Sequence, residues 1–403
     1  MYTNKYPFIF IHGMMGWGEE QKIYPVMPYW GMVCGNLVKQ LRSEGLEAYA
    51  PQVGPLGSAW DRACELYAQL TGTQVDYGAA HAAKYHHERF GRTYDKPLVE
   101  DWGQPMEDGG IKKIHLLGHS FGGATMRMLV TLLEDGAEEE RAATPNDLSP
   151  LFAGGHGAWV QSLTSISAPH DGTTFVHAFE GFMKVLKPAV VCLTAVLANL
   201  GGGQYYDIHM EQYGMNEDPF HATGKKHFLL SAKQWQGLFN ICKYKDNVFD
   251  DLRIDQAADM NQRLHPCKDT YYFSIAGNGT NANRWHPEFQ VRAPIMIFAF
   301  IPFAKVMGKF PVCTINGTVV DETWRPNDGL VPLASARHPQ REPFVHFEDD
   351  PEMRKGIWHV MPDYEADHGT VIGGSISYIG PGKSKPYAKY WRAHLAMLQE
   401  LED

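Results

Sequence analysis

One short run constrains this chain more than any other. Ile114-His115-Leu116-Leu117 is apolar and strand-like, Gly118-His119-Ser120-Phe121-Gly122 follows, and a helix-prone stretch runs from Ala124 to Glu134. A G-x-S-x-G pentapeptide between a strand and a helix is a tight turn that lifts a serine hydroxyl clear of the sheet edge. Glycine at 118 and 122 avoids the clash that a Cβ would make where strand and helix approach. The helix that follows aims free backbone N–H groups at an oxyanion forming beside the serine.

The chain around this turn alternates strands and helices. Phe8–His12, Leu46–Pro51, Ile111–Gly118, Val160–Ala168 and Thr270–Ala276 read as strands. Val33–Glu44 reads as a helix stopped by Gly45, and Tyr387–Glu400 as an amphipathic helix with Pro386 just ahead of it. Repeated βαβ units imply an α/β fold, a mostly parallel central sheet with helices on both faces. No internal repeat is present, and residues 1–403 read as one domain. Two regions interrupt the alternation. Residues 55–108 are rich in aromatic, His and Asp side chains and look like an insertion with its own small structure. Residues 172–262 hold the apolar run Phe175–Leu200, then Gly201-Gly202-Gly203, a hinge or a simple loop, then a more polar stretch.

Charge and cysteine usage exclude several classes. The net charge of −10 argues against a nucleic-acid partner, which would want a basic face. Six cysteines without C-x-x-C spacing do not form a zinc ribbon or a dense disulfide framework and read as free buried thiols. The stretches Val185–Leu200 and Ala293–Ala304 fall short of the roughly 20 residues a membrane span needs, so no transmembrane segment is expected. The N-terminus has no basic segment followed by a long apolar one, so no signal peptide is expected in this chain; it stays inside the cell or is a mature form. Of 19 histidines, His81, His86 and His87 cluster, which hints at a metal.

A serine nucleophile needs a base, a group to orient that base, and donors for the oxyanion. The base is assigned to His368, late in the chain and in a loop, as the Ser…Asp…His order of such turns expects. The orienting acid is assigned to Asp328, in the turn Asn327-Asp328-Gly329. Asp171 also follows a strand and satisfies the order, but the acid more often follows the later strand. The oxyanion donors are expected to be the backbone N–H groups of Phe121, after the nucleophile, and Met14, in the glycine-flanked loop after the first strand.

These residues occur together with Trp60-Asp61-Arg62-Ala63-Cys64-Glu65, with Val75-Asp76-Tyr77-Gly78-Ala79-Ala80-His81-Ala82-Ala83-Lys84, with Arg89-Phe90-Gly91-Arg92-Thr93-Tyr94 and with Pro169-His170-Asp171-Gly172-Thr173-Thr174. Nearly the whole chain thereby resembles the zinc-containing bacterial lipases of the Bacillus and Geobacillus type, in the α/β-hydrolase superfamily. The resemblance implies Ser120, Asp328 and His368 as a triad. It implies a structural zinc at Asp61, His81, His87 and Asp251, with His86 and Asp250 as weaker competitors. Two imidazoles and two carboxylates suit a closed four-coordinate zinc site. His81 and His87 stand six apart, so one straight helix would not aim both at a single ion, and their segment should bend. Residues 55–108, with 246–262, would form the zinc-binding insertion, and 172–245 a helical lid built on Phe175–Leu200 and a second element near Lys225–Tyr244. At the family's calcium site this chain has Thr370 and Ser375, poor partners for a hard dication, so Ca2+ is expected to be absent or weakly held there.

What the resemblance implies is a carboxylic ester hydrolase, foremost a triacylglycerol lipase working on ester or acylglycerol substrates at a lipid–water interface. The alternatives are a broad esterase or polyester hydrolase, a zinc-dependent hydrolase, and a non-catalytic binder of hydrophobic ligands. It also implies secretion, with the cytoplasm as the alternative left by the visible N-terminus.

Overall fold

Seven short runs, most of them dominated by β-branched and aromatic residues, pair into a single sheet in the computed structural model, which describes residues 4–107, 109–199, 206–214, 230–283, 285–286, 289–293 and 296–403. The strands are β1 (Phe8–Ile11), β2 (Ala48–Tyr49), β3 (Ile114–His119), β4 (Val160–Ile166), β5 (Tyr271–Ile275), β6 (Phe344–His346) and β7 (Trp358–Val360). Their order across the sheet is β6-β7-β5-β4-β3-β1-β2, and every pairing is parallel. The central strands β1, β3, β4 and β5 are buried at every residue, as expected for a parallel sheet covered on both faces.

The alternation of side chains along β1 assigns the two layers. Ile9 and Ile11 join the core formed with α2 (Ala59–Thr71) and α4 (Gly122–Asp135). Phe8 and Phe10 join Leu37, Val38 and Leu41 of α1 (Leu37–Ser43) and Trp391, Leu395 and Leu398 of the last helix, Lys385–Gln399.

Registers place the strand ends together. Ile11 lies opposite Gly118, His119 opposite Ile166, Ile166 opposite Ile275, and Ser274 opposite Val360. The loops after β1, β3, β4, β5 and β7 therefore leave from one edge, the carboxyl end where ligands bind in open α/β sheets.

Several expected boundaries shift for local reasons. The helix read as Val33–Glu44 begins at Leu37, because Gly31 and Gly35 adopt φ of 101° and 94° and isolate a 3₁₀ turn at Met32–Cys34. Asn36 then caps α1 by accepting from the Lys39 amide. Pro386 stands inside the first turn of the last helix, where its missing N–H costs nothing, and not ahead of it. β6 and β7 escaped the sequence reading because three residues each carry too little periodicity.

Within 55–108 lie α2, an antiparallel pair Gln74–Asp76 with Phe90–Thr93, and α3 (Ala79–Tyr85). Region 172–262 forms the helices Thr174–Ala178, Glu180–Asn199, Ala232–Tyr244, Val248–Asp251 and Ile254–Met260. The glycine triplet at 201–203 lies outside the described residues. No described helix is long and apolar enough to cross a membrane. All six cysteines are free thiols, with Cys64 and Cys267 buried.

Candidate active site and metal centre

Ser120 sits at the end of β3 with φ +57°, a left-handed conformation that a side chain adopts only under constraint. The Ser120 amide donates to the Ile166 carbonyl at 2.8 Å, and the Gly123 amide donates to the Ser120 carbonyl at 3.0 Å, which closes the turn. Its glycines are required sterically: a Cβ on Gly118 would stand 2.7 Å from the Gly122 carbonyl carbon, and one on Gly122 would stand 2.5 Å from the Ile11 oxygen. The loop after β1 lies against the serine, since a Cβ on Gly13 would come within 3.1 Å of Ser120 Oγ. In that loop and at the helix start, the Met14 and Phe121 amides donate to no protein acceptor among the described residues.

Arg62 secures the loop from below. Fully buried, its guanidinium donates to the carbonyls of His12, Gly13 (3.4 Å) and Gly54 (3.0 Å), and Nε donates to Thr125 Oγ1 of α4 at 2.8 Å. Burial brings it down to about 10.

The structure brings Asp328 and His368 together. His368 Nδ1 donates to Asp328 Oδ2 at 2.7 Å, and the His368 amide donates to the Asp328 carbonyl at 2.9 Å. Asp328 Oδ1 is held by the Leu330 and Val331 amides at 3.0 and 2.8 Å. This fixes the imidazole tautomer and leaves Nε2 with a lone pair. Asp171 is committed elsewhere: it accepts from Asn261 Nδ2 at 3.0 Å and from the Gln340 amide at 2.9 Å, and burial pushes it up to about 6.

The apolar run 293–304 has a role that its composition did not reveal. Its Phe298–Phe300 turn and the helix Ile301–Met307 border the site, with the Phe300 ring edge-on to His368 at 6.5 Å. The Ile297 amide donates to Asp367, whose other oxygen accepts from the Gly369 and Thr370 amides. At the two positions read against calcium, Ser375 Oγ accepts from the Ser377 amide, and Thr370 is buried.

The candidate metal cluster differs from expectation at one residue. Asp61, His81, His87 and Asp246 bring one ligand atom each within 4.8 Å of one another, the one such group among the described residues. His81 Nε2 stands 3.3 Å from Asp61 Oδ1 and 3.3 Å from Asp246 Oδ2, and His87 Nε2 stands 3.3 Å from Asp246 Oδ2. Asp251 is not part of the group. It ends the single turn Val248–Asp251, and its Oδ2 accepts from the Ala59 amide at the start of α2, at 2.8 Å. Asp246 instead occupies the tight connection between Lys245, left-handed at φ +63°, and Asn247, which caps the following turn through the Phe249 and Asp250 amides. A capping Asn ahead of Val248-Phe249 was the available sequence signal that Asp246 lies in a loop.

The competing residues are also placed. His86 is left-handed at φ +60°, ends α3 and stacks on Tyr244 at 4.1 Å, so the segment turns between His81 and His87 as their spacing required. Asp250 pairs with Lys187.

This set of residues fits a metal ion. Asp61 Oδ1 and His87 Nε2 are buried without a hydrogen-bond partner, and tetrahedral bonds of about 2.0 Å would separate ligand atoms by roughly 3.3 Å. His87 Nδ1 donates to the Glu88 carbonyl at 2.8 Å, which leaves Nε2 free to ligate, and Gln212 Nε2 holds Asp61 Oδ2 at 2.7 Å. Burial lowers His81, but Asp246 and Asp61 outweigh it and raise the imidazole to about 9.

Residues 4–399 match the family model described as "Lipase-like, C-terminal domain". Lipase 2 of Staphylococcus aureus is 34% identical over 377 residues, which cover 92% of this chain and 50% of that protein; the chain thus spans about half the length of the curated relatives it matches. The crystal structure of Staphylococcus hyicus lipase superposes with a TM-score of 0.83 at 29% identity, covering 99% of this chain and 97% of that one. Lipase 1 from Pelosinus fermentans gives 0.76 at 34% identity and full coverage of both chains. The fold is that of an α/β-hydrolase.

Proposed function

The chain belongs to the lipase-like C-terminal-domain family, and on that footing we propose that it is a serine ester hydrolase, with acylglycerols as its main substrates. The observation that carries this reading is the Asp328–His368 hydrogen bond at the sheet edge from which a left-handed Ser120 projects. Ser120 attacks the ester carbonyl while His368 Nε2 takes its proton and later returns it to the leaving alcohol. Asp328 holds the ring and balances the charge the imidazole acquires. The Met14 and Phe121 amides, which donate to no acceptor among the described residues, receive the oxyanion. Water then clears the acyl-enzyme by the same route.

Asp61, His81, His87 and Asp246 would hold a zinc ion. Four protein ligands leave no open position for water, so the ion supplies a structural tie and not chemistry. The helices Thr174–Ala178, Glu180–Asn199 and Ala232–Tyr244 would form the lid. Its reading is supported by the exposed Phe182, Val185 and Leu193 on one long helix and by Trp235 and Phe239 on the other, an apolar surface suited to a lipid interface. Action on lipid outside the cell goes with this reading.

The test is hydrolysis of a short and a long p-nitrophenyl ester by the wild type and by Ser120→Ala. Loss of several orders of magnitude in the variant supports the serine mechanism, and the chain-length ratio separates a lipase from a short-chain esterase. Retained turnover would overturn the triad and leave a zinc-dependent hydrolase or another chemistry.

A further inference from the structure

Three hydrogen bonds run in series between the loop after β1 and the backbone of His368, through two residues that have no part in the chemistry above. The Gly13 amide donates to Tyr29 Oη at 3.0 Å. Tyr29 Oη and His119 Nδ1 are 2.6 Å apart, and His119 Nε2 lies 2.9 Å from the His368 carbonyl oxygen.

Donor and acceptor roles follow from the two ends. A carbonyl only accepts, so His119 Nε2 carries the proton and donates to His368. A neutral imidazole then has only a lone pair at Nδ1, so the Tyr29 hydroxyl donates there. Its oxygen remains to accept from Gly13. Each bond in the series has one direction, and reversing any of them leaves a buried polar atom unmatched.

The setting preserves this arrangement. Tyr29 and His119 are buried; burial first, and the neighbouring His368 second, hold His119 well below the ordinary histidine range, so it stays neutral. Trp17 stands edge-on to the Tyr29 ring at 5.4 Å and Trp30 at 5.8 Å, which fixes the ring. His119 itself stands between Gly118 and Ser120, with its ring 4.6 Å from that of His368.

Building on the ester-hydrolase reading, we propose that Tyr29 and His119 are positioning residues: their hydrogen-bond series sets the oxyanion loop, Ser120 and His368 in register. The oxyanion donor Met14 follows Gly13 directly, and the serine follows His119 directly. One short series thus touches the backbone beside each of the three working parts.

The experiment measures kcat and KM on a soluble p-nitrophenyl ester for the wild type, Tyr29→Phe, His119→Ala, His119→Gln, the Tyr29→Phe/His119→Ala pair and Ser120→Ala, with thermal unfolding of each. Tyr29→Phe should lower kcat by about tenfold or more with KM within about twofold, since the loss is felt in the transition state. His119→Gln, whose amide can still donate toward the His368 carbonyl, should recover part of what His119→Ala loses. Adding Tyr29→Phe to His119→Ala should cost less than about twofold further, because the series is already broken. A kcat for Tyr29→Phe within about twofold of wild type, or multiplicative single effects, would overturn the proposal. Nitrogen-15 spectra of the wild type give a check that no variant's folding can spoil: His119 should be the Nε2–H tautomer, and the Nδ1–H tautomer rules the series out. An active Ser120→Ala would defeat the hydrolase reading itself, whereas an inactive one beside an unaffected Tyr29→Phe defeats only the positioning role.

Discussion

Asp61 and Arg62, neighbours at the start of α2, serve two different sites. Asp61 Oδ1 stands 3.3 Å from His81 Nε2 in the metal cluster, while the Arg62 guanidinium holds the carbonyls of His12, Gly13 and Gly54 under the loop that covers Ser120. Ser58 caps this helix by accepting from the Asp61 amide, and Asp251 receives the Ala59 amide. One rigid turn therefore ties the cluster to the loop, with Arg62 as the link on the catalytic side.

Arg62→Met keeps the apolar stem of the side chain and removes its donors. The buried His12 carbonyl loses its Arg62 donor, the Gly13 and Gly54 carbonyls and Thr125 Oγ1 each lose one of their partners, and a buried group left unsatisfied costs about 1–3 kcal/mol. The variant should unfold at lower temperature. Its kcat on a p-nitrophenyl ester should drop by about 10²-fold, the scale of losing one oxyanion donor, because the Met14 amide is no longer held in place. Steady-state kinetics well below the variant's melting temperature measures the second effect apart from the first.

Removing the metal should act on stability before activity. A ligand at 1,000 times its Kd contributes about 4 kcal/mol to folding, so dialysis against a chelator should lower Tm while initial rates at low temperature persist. Asp246→Ala should lose the bound metal and melt like the chelated wild type. Asp251→Ala should retain the metal, since its carboxylate serves the Ala59 amide. Zinc content by atomic absorption, read beside calorimetry, distinguishes the two.

Asp328→Asn preserves shape but favours the wrong imidazole tautomer, because the amide can donate to Nδ1. Its kcat should fall by roughly 10³–10⁴-fold. Asp171→Asn, bonded to Asn261 and the Gln340 amide, should keep kcat within a few-fold and lose only stability, with ester hydrolysis and thermal melting as the pair of measurements.

Much of this arrangement was legible in the sequence because it depends on local chemistry. The pentapeptide around Ser120 needs its glycines for close approach, and after the turn Asn327-Asp328-Gly329 the Leu330 and Val331 amides hold the Asp328 carboxylate in place. The family resemblance paired His81 with His87, and their six-residue spacing then implied the bend between them. The fourth cluster residue could not be fixed that way: Asp246, Asp250 and Asp251 lie within six positions, and only the packing of Val248–Asp251 against the start of α2 sends Asp251 to the Ala59 amide and leaves Asp246 for the histidines. Arg62, Tyr29 and Phe300 were equally hidden. Each acts across more than 40 residues of sequence, to Gly13, to His119 and to His368, and no spacing rule reaches that far.

Buried histidines away from both sites make stability depend on pH in a way that can be isolated. His394 Nε2 lies 3.0 Å from Thr164 Oγ1, and His115 lies between Ser162 Oγ and Asn4 Oδ1. Burial brings His394 down to about 4 and His115 to about 3. Each is thus lower in the folded chain than its unfolded value of about 6.5. Between that value and the folded one, the unfolded chain binds more protons, so each imidazole makes stability rise with pH and fall on acidification. At pH 5 each should have lost up to about 2 kcal/mol of its contribution at neutral pH. Glu65 and Asp171, pushed up by burial to about 8 and about 6, work in the opposite sense over overlapping ranges. The wild-type profile alone therefore mixes the two, and the informative quantity is the difference between wild type and His394→Gln. The glutamine can still bond Thr164 and does not titrate. Urea unfolding at pH 7 and pH 5 should show the variant losing less stability than the wild type between the two, by an amount that vanishes above pH 7. A pH-independent difference would mean that His394 contributes packing and hydrogen bonding only.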